Sequence, residues 1–157
     1  MKIKWKPLLI CLAIPLAVGG LSAFLTRNGM ETFQSLNQPP LSPPAWLFPV
    51  VWSILFLLMG LASYLVYTSG KPRPATRTAL IVYGVQLAFN FLWPIFFFNL
   101  GLYLFSFVWL VVLWGLILTT TILFSRLSKP AGLLLLPYLL WVAFAGYLNL
   151  SIYLLNK

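Results

Sequence analysis

The sequence predicts an all-α membrane protein, a bundle of five transmembrane helices in one domain, and three observations carry that prediction. Of its 157 residues, 62 % are apolar and 7 % are charged, against about 25 % charged residues in a soluble domain. Five apolar stretches approach or exceed the roughly 20 residues needed to span about 30 Å of hydrocarbon. The ten basic residues sit at the ends of those stretches rather than along one face, which marks membrane topology rather than nucleic-acid binding.

The first stretch, Leu8 to Leu25, follows Lys2, Lys4 and Lys6 and has small residues near its end, as a signal peptide would. Its apolar run exceeds a usual signal core, and retaining it makes the charge pattern consistent, so it reads as a helix. The others run from Ala45 to Tyr67, Ala79 to Phe98, Gly101 to Phe124 and Ala131 to Leu155. Alternating the aqueous sides gathers Lys2, Lys4, Lys6, Lys71, Arg73, Arg77, Arg126 and Lys129 on one side and leaves Arg27 and Lys157 on the other. The positive-inside rule then puts the N-terminus in the cytoplasm and the C-terminus outside, in a plasma (inner) membrane.

Thr26 to Pro44 is the longest connection, stiffened by Pro39, Pro40, Pro43 and Pro44. It reads as a lid or as a plain connector, and Ser42 before Pro43 reads as a helix N-cap. Asn99 to Gly101 is short enough to make its flanking helices antiparallel neighbours. Pro15, Pro49, Pro94 and Pro137 fall within or near spans and are expected to kink them.

The inventory excludes most catalytic chemistry. One acidic residue (Glu31), one cysteine (Cys11) and no histidine leave no carboxylate pair, triad, intrachain disulfide or metal site. What remains is polar side chains in hydrocarbon, Gln86, Asn90 and Asn149, which must face protein or a cavity. At 1.5 Å per residue, Trp52 and Asn90 each lie roughly 10 to 12 Å below the same surface. Trp141 is near the middle of the fifth span, and Trp109 lies about as deep as Asn90. Trp5, Trp46 and Trp93 suit interfacial belts, whereas Trp52, Trp109, Trp114 and Trp141 lie too deep for that. They serve either helix packing or the wall of a cavity for a flat apolar ligand, which Asn90 would orient. Gly84 and Ala88 form a small-xxx-small pair, read as a dimer contact or as packing within the monomer. Leu150, Tyr153 and Lys157 fit a proposed sterol-contact spacing, or an interfacial anchor.

Three stretches carry a resemblance: Pro43-Pro44-Ala45-Trp46-Leu47-Phe48-Pro49-Val50-Val51-Trp52, Ala88-Phe89-Asn90-Phe91-Leu92-Trp93-Pro94-Ile95-Phe96-Phe97, and Leu136 to Asn149 with Pro137-Tyr138 and Trp141. The sequence resembles the TspO/MBR family of tryptophan-rich sensory proteins over nearly its whole length. That resemblance implies a receptor or sensor, usually a homodimer, binding porphyrins, haem and related tetrapyrroles, with sterols and synthetic aromatic ligands in some members. It implies no required cofactor and no nucleic-acid partner. By motif position Trp52, Asn90 and Trp141 match pocket residues, Phe33 stands where many relatives have Tyr, and Trp46, Phe48, Trp93, Tyr138 and Ala145 complete the candidate ligand-binding set. Trp141 also matches a tryptophan implicated in light-dependent porphyrin breakdown, so an enzyme of that kind is the alternative to a binding protein, as is a sterol or tetrapyrrole carrier. Thr32-Phe33 replaces the Trp-Tyr of many relatives, Leu41 a Trp, and Leu150 lies near another. Those losses put breakdown in doubt more than binding.

Overall fold

A computed structural model describes residues 2–157. Seven helices form: α1 (Trp5–Leu25), α2 (Gly29–Ser35), α3 (Leu47–Tyr67), α4 (Arg73–Pro94), α5 (Tyr103–Leu127), α6 (Lys129–Leu134) and α7 (Leu136–Asn156). Five segments are long and apolar enough to cross a membrane: α1, α3, Arg73–Asn99, α5 and Lys129–Asn156. The third begins at Arg73, six residues before the apolar run, because Pro72 and Pro74 open a helix that Thr76 and Thr78 continue by bonding back to Arg73 and Pro74 carbonyls.

Prolines set the irregularities. Pro94 cannot donate to the Asn90 carbonyl, and the chain widens into a π-helical turn over Ile95–Asn99, closed by Leu100 N–H donating to the Ile95 carbonyl at 3.1 Å. Gly101 at φ +64° then turns the chain into α5. Pro137 cannot donate to Leu133, which separates α6 from α7 at Leu135. The expected N-cap at Ser42 does not form. Helix α3 starts at Leu47, and the Ser42 hydroxyl bonds Gln38 Oε1 at 3.2 Å instead.

Round the bundle the order is α3, α1, α4, α5, α7, with α6 closing against α3 at the face that carries the N-terminus. Lipid offers apolar side chains no less favourable a setting than the protein interior, so the helices are held by close packing. One close approach between spanning helices is that of α1 on α3. Pro15 frees the Cys11 carbonyl from its helical bond, and a Cβ on Gly60 would stand 2.7 Å from that oxygen and 2.8 Å from Leu12 Cα. Further along the seam Gly19 makes room for the Phe56 ring. The pair singled out from sequence behaves differently. Gly84 has nothing within 4 Å and Ala88 is exposed, so neither packs within the monomer.

The half of the bundle nearer the N-terminal face is filled by Met59, Val66, Ile117, Phe124 and Ala131, all fully buried. In the other half α3 and α7 meet chiefly through rings, Phe48 on Trp141 at 6.1 Å and Trp52 on Tyr138 at 6.3 Å. Large side chains hold those backbones apart, and space is left among them.

Candidate functional site

That space is a cavity of about 320 Å³ bounded by α1, α2, α3, α4 with its π turn, and α7. Of the long helices, α1, α3, α4 and α7 each present a stripe at helical spacing. Gly19, Ser22, Ala23 and Thr26 come from α1, Phe48, Trp52 and Phe56 from α3, Asn90, Trp93 and Phe97 from α4, and Trp141, Ala145, Leu148 and Asn149 from α7. The small residues of α1 form a flat wall opposite the aromatic ones. Met30 and Phe33 of α2 roof it, Phe33 standing edge-on to Phe48 at 6.0 Å and to Phe98 at 5.4 Å.

The roof is held down at both ends. Gly29 lies so close to the π turn that a Cβ there would stand 2.6 Å from the Phe98 carbonyl oxygen. Beyond α2, Asn37 N–H donates to Asn156 Oδ1 at 3.0 Å while Asn156 Nδ2 donates to the Asn37 carbonyl at 3.0 Å, and the Tyr147 hydroxyl donates to the Pro40 carbonyl at 2.7 Å. Leu41, at φ +70° and 83 % exposed, is the tip of this loop.

Polar groups reach the cavity in a fixed pattern. Asn90 Nδ2 donates to the Tyr138 hydroxyl at 2.6 Å, and that hydroxyl donates to Gln86 Oε1 at 2.7 Å. With its NH₂ so committed, Asn90 keeps its carbonyl oxygen as an acceptor for whatever fills the space. Trp93 Nε1 donates to Asn149 Oδ1 at 3.0 Å, whose amide donates to the Tyr103 carbonyl at 2.8 Å, tying α4, α7 and α5 together. Trp141 Nε1 is buried with no partner, a donor awaiting an acceptor. Arg27 is the one charged residue in the wall. Among the described residues no three His, Cys, Asp or Glu come together as metal ligands.

Because Tyr138 bridges two amides, Tyr138→Phe leaves the Asn90 donor and the Gln86 acceptor unpaired beside a Gln86 Nε2 that already lacks a partner. A loss of about 1–3 kcal/mol is expected, read as a lower midpoint of thermal unfolding in detergent. An unchanged midpoint would show that the network carries no stability.

Seven of the nine candidate ligand-binding residues, Phe33, Phe48, Trp52, Asn90, Trp93, Trp141 and Ala145, line this one cavity. Two do not. Trp46 precedes the first turn of α3 and is 67 % exposed, off the stripe that Phe48 and Trp52 define. Tyr138 is buried beneath the cavity, its hydroxyl taken by Asn90 and Gln86. Trp93 is buried rather than interfacial. The depth argument also placed Trp109 in this layer, but its ring stacks on Phe89 at 4.2 Å and its N–H bonds the Phe89 carbonyl, away from the cavity. Trp114 similarly bonds the Leu139 carbonyl and lines a groove between α5 and α7. Missed entirely were Phe97, Phe98 and the α1 wall. Small residues at 19, 22, 23 and 26 were the available signal for the last.

The family model of the TspO/MBR family matches residues 11–155. The sequence is 41 % identical to the tryptophan-rich protein TspO of Chlorobaculum tepidum, over 95 % of each chain. It is 35 % identical to the translocator protein of Bos taurus, over 92 % of this chain and 87 % of that one. It is 34 % identical to the tryptophan-rich sensory protein of Cereibacter sphaeroides, over 99 % and 95 % respectively.

Proposed function

Because this chain belongs to the TspO/MBR family, we propose that it is a membrane receptor or sensor that binds porphyrins or related tetrapyrroles in the cavity under α2. One observation carries the reading. Four helices and a lid surround a single space with flat rings, and Asn90 brings one amide oxygen to it. Rings match a planar apolar guest, and a single amide orients it without a large desolvation cost. The cavity lies near the lower end of the roughly 300–1,000 Å³ typical of ligand sites, so a tetrapyrrole is enclosed only if the lid moves outward. The eight basic residues on the N-terminal face support an N-terminus in the cytoplasm and a cavity that opens toward the outer leaflet of a plasma membrane. The unpacked Gly84–Ala88 face of α4 is where a second copy would sit.

Titrating protoporphyrin IX into the purified protein tests the reading, with quenching of intrinsic tryptophan fluorescence and a shifted porphyrin absorption band as the expected result. No saturable change in either signal overturns it. Illuminating the complex and following the same band separates binding from breakdown, since a band that persists under light leaves binding alone.

The lid makes a separate prediction. Asn156→Ala removes both bonds of its side chain with Asn37. At about 1 kcal/mol for the exposed pair, porphyrin association in stopped flow is expected to quicken about fivefold. An unchanged rate would mean that α2 does not gate entry.

A further inference from the structure

The cavity wall is apolar or neutral except at one point. Arg27 follows α1 where the cavity meets the surface on the side of the α1–α2 connection, and it is exposed there. Its guanidinium is held in place from behind. One NH group donates to the Phe24 carbonyl at 2.6 Å, and the group lies 4.0 Å from the centroid of the Phe24 ring. Its other donors have no partner among the described residues, and Glu31 is the only acidic residue in the sequence. A pre-oriented fork of N–H donors at the rim of an apolar cavity is the arrangement that recognises a carboxylate. Low-dielectric walls strengthen that attraction over its value in water.

We propose that Arg27 is the residue that selects for acidic ligands, binding a carboxylate at the edge of a guest whose flat apolar body lies among Trp52, Trp93 and Trp141. This rests on the tetrapyrrole reading and narrows it to ring systems bearing acidic side chains. The apolar ring enters the membrane layer while the charge stays at the water boundary, so neither part is left in the wrong medium.

The test uses the full chain in detergent at neutral pH, with protoporphyrin IX and its dimethyl ester as probes. Wild type is expected to bind the diacid about tenfold more tightly than the diester, the scale of one charge-assisted bond. Arg27→Gln is expected to bring the diacid down to the diester, whose own isotherm reports whether the variant is folded. Arg27→Lys, which keeps the charge without the fork, is expected to fall between. Equal affinities of the two probes in wild type, or a diacid preference that survives in Arg27→Gln, overturns the role of Arg27 while leaving the tetrapyrrole site standing. Failure of both probes to bind wild type removes the tetrapyrrole reading itself.

Discussion

Replacing both Trp52 and Trp141 by alanine is expected to weaken protoporphyrin binding about a hundredfold. Each ring forms part of the cavity wall, Trp52 leaning on Phe56 at 5.6 Å and Trp141 set between Phe48 at 6.1 Å and Phe144 at 5.6 Å. Losing one aromatic face costs about 1.5 kcal/mol of contact with a flat ligand, and the two losses together approach two decades of affinity. The absorption band of the porphyrin is the proper readout, because the variants remove the fluorophores. Trp109→Ala is the control: it deletes an indole of the same size whose ring lies against Phe89, away from the cavity. Wild-type affinity in the double variant would take these residues out of the site.

Gly60→Leu is expected to destabilise the bundle strongly. The new Cβ would stand 2.7 Å from the Cys11 carbonyl oxygen and 2.8 Å from Leu12 Cα, and both are backbone atoms fixed within α1. No side chain can swing aside, so α1 must move off α3. Overpacking of about 3 kcal/mol corresponds to a thermal midpoint in detergent lower by roughly 10 °C. Porphyrin binding is expected to fall with it, because Gly19, Ser22 and Ala23 of the displaced helix form one wall of the cavity. Gly20→Leu, with nothing within 4 Å of its added atom, is expected to leave the midpoint unchanged. Equal midpoints for the two variants would show that the α1–α3 seam is not close-packed.

The depth of a residue in a membrane helix can be counted from its sequence position, and that count put Trp52 and Asn90 in a shared layer and Trp141 near the middle of its span. All three line one cavity. The identical count gave Trp109 the depth of Asn90, and there its ring serves helix packing instead, because depth fixes height along a helix but not the direction a side chain points. Direction is set by which neighbour each helix packs against, and α5 turns Trp109 toward Phe89. The same limitation applies to Trp46, which sits in a matching motif yet two positions before the inward stripe of α3 begins. Of the two readings of Gly84 and Ala88, packing within the monomer is the one the structure does not bear out. Gly84 and Ala88 have the spacing of a contact, but Gly60 makes the close one, since it stands opposite the carbonyl that Pro15 frees.

By itself, then, the sequence determined the number of membrane crossings, the family, the lack of a carboxylate pair, a triad or a Cys/His metal site, and the height of the polar layer. Each of those follows from composition or from distance along a chain whose rise per residue is constant. Only the tertiary structure decided which indoles face inward, that Asn90 spends its NH₂ on Tyr138 and keeps its oxygen for the cavity, that Trp141 has a donor to spare, and that Arg27 stands alone at the rim. These depend on the rotation of each helix about its axis and on side-chain pairings between segments 48 to 119 residues apart, and no local periodicity encodes either.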